Sequence, residues 1–150
     1  MSAAWREEEL AAAEQALGYA FSDRELLKTC LTHASLVNSG EVSNERLEFL
    51  GDAVVELLVT EKLYRDVDAR EGTLTELRKR YVSKGALVRA EGRVGLMRFL
   101  HYAGGADALR GKTASNLFEA AVGAIYLDGG MAGGRPFLAP TLEETETDNY

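Results

Sequence analysis

The chain has one cysteine, two prolines and no apolar stretch of membrane-spanning length among its 150 residues. A single Cys30 excludes an internal disulfide, and no group of Cys and His partners surrounds it to suggest zinc. Its setting, "LLKTCLTHA", fits a buried structural thiol better than a nucleophile. The opening residues, "MSAAWREEEL", have neither the basic start nor the apolar core of a secretion signal. With no apolar run to span a bilayer, the expectation is a soluble, cytoplasmic protein with no membrane partner. Scarce proline and 46% apolar residues favour one compact, mostly helical domain.

Positive charge is also in short supply, with 17 bases against 24 acids and a net charge of −7. On the sum alone this argues against a nucleic-acid partner. The distribution is uneven, however. Residues 62–98 carry ten bases and five acids, a local +5 that leaves −12 for the rest. Such a basic middle suits a phosphate-facing surface and equally suits solvated helix faces.

The pattern predicts helices throughout and no strand, repeat or linker. Residues 6–17 read as a helix stopped by Gly18. Ser22 and Glu25 have capping-box spacing and predict a second helix starting there, and Thr73 and Glu76 predict the same for a basic helix. "VNSGEVSN" is a turn-forming stretch, followed by a long helix to about Tyr64. "KGALVRAEGRVGL" makes a shorter helix, weakened by Gly92 and Gly95. After the glycine-containing loop "YAGGADALRGK", residues 113–128 form an apolar helix ended by Gly129 and Gly130. The last ten residues hold four acids and no base, and are expected to fray.

The long helix begins "NERLEFLGDAVVELL", with three carboxylates in eight residues. At about 100° per residue, Glu45, Glu48 and Asp52 fall within a stripe roughly 60° wide, opposite Leu47, Leu50, Val54, Leu57 and Leu58. Val55 and Val59 continue that stripe, so its far end enters the interior. Like charges at this spacing repel, more so when partly buried, and call for a cation. A counterpart lies in "ASNLFEAAVGA". Asn116 and Glu119 share a face there, away from Phe118, Ala121 and Ile125, and Gly123 one turn on would let another helix pass close by. If the two helices cross, Glu48, Asp52, Asn116 and Glu119 converge as an all-oxygen set suited to Mg²⁺ or Mn²⁺. The alternative is two solvated faces that never meet.

"NERLEFLGDAV" is similar to the catalytic motif of the ribonuclease III family, and "FEAAVGAIYLDGG" resembles that family's second block at the expected distance downstream. The likeness covers roughly residues 10–140. It implies an all-α, homodimeric endonuclease domain over residues 1–140 that cuts both strands of double-stranded RNA in ribosomal or messenger RNA processing. It further implies that Glu48, Asp52, Asn116 and Glu119 hold the divalent ion, with Asp52 and Glu119 catalytic. Glu45 and Glu71 match a second acidic cluster, and Phe49 matches an aromatic that inserts into the partner subunit. Phe49 falls at about 40° on the wheel, on the acid side, which agrees with an interface and not with the leucine core. The implied products carry 5′-phosphate and 3′-hydroxyl ends. His33 and His101 are expected to be structural.

Two departures stand out. Asn116 occupies a position where that family often has aspartate, which removes one charge from the ligand set and predicts a higher metal requirement. Residues 141–150 read as an acidic tail or as the start of a linker to a double-stranded-RNA-binding domain that this chain lacks; the likeness to the linker favours the catalytic part of a longer protein over a naturally minimal enzyme. The competing reading is a catalytically weakened RNA-binding or scaffolding domain of the same fold.

Overall fold

The computed structural model describes residues 5–40, 42–105, 109 and 111–148, without the side chains of 38, 39 and 137–148. Among these described residues six α-helices follow one another: α1 (Glu7–Leu17), α2 (Arg24–Cys30), α3 (Glu45–Asp66), α4 (Glu71–Val82), α5 (Lys84–Val94) and α6 (Thr113–Asp148). Short 3₁₀ turns lie at Ala34–Ser39 and Met97–Phe99. Among the described residues the only sheet-like pairing is one parallel bridge between Thr32 and His101. The expected all-α class is therefore what the chain adopts.

Helix α6 is the axis. Its residues Leu117, Ala121 and Ile125 join a core with Leu10, Leu17, Leu27 and Leu31 from the N-terminal half. On its other side Phe118 and Val122 pack into a second core with Val54, Val55, Leu58, Val59, Tyr81 and Leu87. From Leu117 to Ile125 every residue except Glu119 is buried. A helix apolar all round belongs in a protein's centre, and a single carboxylate on it is costly unless it has a task.

Local chemistry explains where the elements begin and end. Gly18 closes α1 in the left-handed region at φ 68°, as its position predicts. Helix α2 starts one residue later than the Ser22–Glu25 spacing suggests. The capping side chain is Asp23, which accepts the Glu25 amide at 3.0 Å, while Ser22 and Asp23 donate their own amides to the Asp128 carboxylate. Helix α4 starts two residues before Thr73. The Leu74 amide donates to the Arg70 carbonyl at 3.0 Å to open it, and Glu71 sits favourably at the positive end of the helix dipole. The turn-forming "VNSGEVSN" includes the end of the first 3₁₀ turn, and Ser83 caps α5 by accepting the Ala86 amide.

Helix α6 does not stop at the two glycines. Gly130 leaves helical geometry (φ 68°, ψ −166°), the axis kinks, and helix resumes to Asp148. The acid-rich end, expected to fray, is thus helical up to Asp148, in keeping with the fair helix propensity of glutamate. Residues 149 and 150 lie outside the described residues, as does part of the loop around 106–110.

Both histidines are structural anchors, as expected. The imidazole of His33 accepts the Ser35 amide, and His101 stacks on Trp5 at 3.7 Å and meets Glu9 at 3.1 Å, tying the N-terminus to the body. Cys30 is fully buried and burial pushes its thiol up to about 12, so it is no nucleophile. No helix among the described residues is long and apolar enough to cross a membrane.

Candidate active site

The extensive packing of α3 on α6 brings the two acidic segments together. Two glycines permit the approach. A Cβ on Gly51 would stand 1.7 Å from the Glu119 carbonyl oxygen, and one on Gly123 would stand 2.4 Å from the Leu47 carbonyl oxygen. Gly123 does what its place on the polar side of its helix predicts. Gly51, between Glu48 and Asp52, is the reciprocal half of the crossing and was not singled out by the sequence reading.

Over this crossing opens a cleft of about 410 Å³ lined by Glu45, Glu48, Asp52, Asn116 and Glu119, with Phe49, Ser115 and the lysines Lys84 and Lys112 around them. The two half-sites inferred from spacing do meet. Glu71, by contrast, sits exposed at the first residue of α4 and does not line the cleft.

The charges in the cleft interact. Glu48 is half-buried, and burial followed by the neighbouring charge of Glu45 raises its carboxyl above the ordinary range, against the pull of Lys112. Glu119 is pushed up to about 8, first by burial and then by a hydrogen bond to Asp52 and the charges of Asp52 and Glu48. A carboxyl with so high a value stays largely protonated near neutrality and donates that proton in a hydrogen bond to Asp52. Supplying a cation in place of that proton is the physical remedy for such a cluster.

The donor set fits a hard divalent ion, because carboxylate and amide oxygens face one cleft without thiolate or imidazole. Among the described residues no three acidic, His or Cys groups already close on a single point, so the side chains would have to draw inward around an ion. The residues able to hold it are Glu48, Asp52, Asn116 and Glu119.

Asn44, at the start of the acidic motif, is buried and has a role that sequence reading did not assign. Its side-chain amide donates to the Cys30 carbonyl at 3.0 Å and its backbone amide donates to Thr32 at 2.9 Å, which fixes the entry of α3 against the end of α2. Leu57, placed on the core side by the wheel, is instead 55% exposed. It continues a stripe with Phe49 (83%) and Tyr64 (80%) along one flank of α3, spaced by about two turns each. The leucine face was drawn too wide by the wheel, because α6 and α4 cover only part of it.

Residues 23–143 match the family model described as Ribonuclease-III-like. The chain is 40% identical over 148 residues to Ribonuclease 3 of Chloroflexus aggregans, covering 91% of this chain and 65% of that protein. It is 45% identical over 127 residues to Ribonuclease 3 of Oleidesulfovibrio alaskensis, covering 79% of this chain and 56% of that one. The chain thus spans about three fifths of the length of these curated relatives. Among solved structures, the nuclease domain of ribonuclease III from Campylobacter jejuni, described for flexibility in a region involved in dimer formation, superposes with a TM-score of 0.78. The two are 34% identical, with 93% of this chain and 98% of that one covered. With the motifs, the helical fold and the joined acidic site in agreement, the chain belongs to the Ribonuclease-III-like family.

Proposed function

We propose that the protein is a divalent-metal-dependent endoribonuclease that hydrolyses phosphodiester bonds of double-stranded RNA, working as a homodimer in the cytoplasm in RNA processing. The observation that carries this reading is the meeting of Glu48 and Asp52 with Asn116 and Glu119 over the Gly51–Gly123 crossing.

Bound Mg²⁺, or Mn²⁺ in its place, would activate water and neutralise charge on the phosphate and the leaving 3′-oxygen. The chain's own residues prepare for that. Glu48, Asp52 and Glu119 would present the carboxylates, Asn116 would add a neutral oxygen, and Asp52 and Glu119 would orient the attacking water. Partial burial of Glu48 and Glu119 beside the exposed Asp52 strengthens the charge interactions on the inner side of the cleft while leaving its mouth open to substrate and water. Ser115, the hydroxyl that lines the cleft, is buried and donates to the Lys112 carbonyl at 3.0 Å, and no Cys or His lines it, so direct attack by water is the chemistry this reading assigns, leaving 5′-phosphate and 3′-hydroxyl ends. Glu45 lines the outer cleft, and Glu71 stands apart from it within one chain; both belong to the second acidic cluster in this reading.

The dimer reading rests on Phe49, Leu57 and Tyr64, an exposed apolar stripe beside the cleft that a second copy would cover. Two such sites facing opposite strands would cut a duplex on both. The basic segment on α4 and α5 would contact phosphates, with steep dependence on salt.

The test is incubation of purified protein with labelled RNA duplex, with and without Mg²⁺. Metal-dependent short duplex products are expected. Retention of duplex without cleavage, even with Mn²⁺, would favour the scaffolding reading, for which Asn116 in place of the frequent aspartate is the specific support. If Asn116 only weakens the ion, Asn116→Asp lowers the Mg²⁺ concentration needed for half-maximal rate; an unchanged requirement would count against its role as ligand.

A further inference from the structure

The acidic cleft also contains cations that the ion-binding set does not use. Lys112 and Lys84 line it from two separate places, one immediately before α6 and the other at the first residue of α5. Four carboxylates there (Glu45, Glu48, Asp52 and Glu119) against two lysines leave a formal −2, the charge that one divalent ion cancels. Without the lysines a cleft meant for a polyanion would repel it even with an ion bound.

Lys112 is the better placed of the two. With Asn116 and Glu119 it falls at i, i+4 and i+7, one face of a helix, so cation, amide and carboxylate run in line from the exposed mouth to the buried floor. Its position is pinned by the first turn of α6, where its carbonyl accepts the Asn116 amide at 2.8 Å and the Ser115 hydroxyl at 3.0 Å. Its charge reaches Glu48 without forming a close ion pair, and among the described residues its ammonium has no hydrogen-bonded partner. A point charge with three donors, held at the mouth over an acidic floor, matches a phosphodiester oxygen.

We infer that Lys112 is a substrate-positioning residue that holds a backbone phosphate of the RNA over the carboxylates, an inference that rests on the nuclease reading above. Lys112 is distinct from the ion ligands, and it acts on substrate placement ahead of the reaction.

The experiment compares wild type, Lys112→Met, Lys112→Gln and Lys112→Arg for binding of a fluorescent RNA duplex in EDTA across a series of KCl concentrations. Thermal melts confirm that each is folded, and Gln stands in if Met fails to fold. The neutral variants are expected to bind roughly tenfold more weakly near 0.1 M salt, with a salt slope shallower by about 0.9 per protomer. Arginine should restore both. A loss of slope is not what general structural damage produces. If the neutral variants keep wild-type affinity and slope, the inference is overturned. Tighter Mn²⁺ binding by those same variants would then assign Lys112 as a countercharge to the carboxylates only. If wild type binds the duplex but never cuts it, the nuclease reading fails while the slopes still decide Lys112. If wild type does not bind the duplex, the inference falls with that reading.

Discussion

Replacing Gly51 with alanine tests the structural premise of the site, the backbone contact between α3 and α6. The added Cβ would lie 1.7 Å from the Glu119 carbonyl oxygen and 3.1 Å from the Gly123 nitrogen, where real Cβ contacts essentially never fall below 3.0 Å. The helices must therefore part by at least about 1.3 Å, because both obstructing groups are backbone and cannot swing aside. Overpacking of this kind costs about 1–3 kcal/mol or more. A rigid backbone clash belongs at the upper end, near 4 kcal/mol, from which about 1 kcal/mol is recovered by the better helix propensity of alanine. A net loss of about 3 kcal/mol lowers Tm by roughly 6–12 °C in a chain of this length.

The same displacement moves Glu119 away from Glu48 and Asp52, and a misplacement of about 1 Å in a catalytic set can lower the rate roughly 100-fold. Gly92→Ala is the matched control. It lies on the exposed side of α5 with nothing within 4 Å of its would-be Cβ, and should be neutral or stabilise by about 1 kcal/mol. Thermal unfolding by circular dichroism, with duplex cleavage measured well below Tm, reads both effects. A Gly51→Ala protein that melts with wild type and cleaves at the same rate would refute the crossing as drawn.

Glu119→Gln should abolish cleavage and leave the fold intact. Because the folded carboxyl is raised to about 8, its stabilising effect is present below about 4.5 and lost as pH rises through 8, so the glutamine variant should gain Tm relative to wild type across that window; loss of folding would mark Glu119 as structural instead. Phe49→Ala removes a side chain that is 83% exposed in one copy. With about 2 kcal/mol lost per copy and two copies per dimer, the dimer Kd should rise roughly 1000-fold, and an unchanged mass at low concentration would oppose the interface. Glu91 is buried at 2% exposure, accepts the Leu96 and Met97 amides, and is pushed up to about 7 by burial. Stability from it is complete below about 4.5 and falls by about 3 kcal/mol as pH passes 7, so Glu91→Gln should flatten the pH profile of Tm; parallel profiles for the two proteins would contradict this.

How much of this could be read beforehand depends on the range of the interaction concerned. Helix periodicity is local, so the acid stripe of α3, the buried Val55 and Val59, and the common face of Asn116 and Glu119 were legible from spacing. Cap residues were legible only as types. Ser22 and Thr73 had the right chemistry, yet Asp23 took the first cap, while the second helix opened on a backbone bond from Leu74 to Arg70. A distant carboxylate, Asp128, settles the first case by collecting the amides of Ser22 and Asp23. Nothing within ten residues of Ser22 announces it.

The wheel fails in a more instructive way at Leu57. An angular plot ranks residues by direction, but burial needs a neighbour at that direction and at that height along the axis. Helix α6 stays against α3 well past the Gly51–Gly123 crossing, with Leu58, Val59 and Leu63 buried and Arg135 paired to Glu61, but among the described residues nothing covers the flank that Leu57 shares with Phe49 and Tyr64, so these three face solvent. The same geometry that brings the carboxylates together therefore leaves an apolar strip beside them. If a second copy covers that strip, site assembly and subunit pairing share one cause, and weakening the α3–α6 contact should impair both. Gly51→Ala, tested for mass as well as for cleavage, should then dissociate more readily than wild type. A variant that loses cleavage but pairs as tightly as wild type would separate the two and show that the strip is organised independently of the crossing.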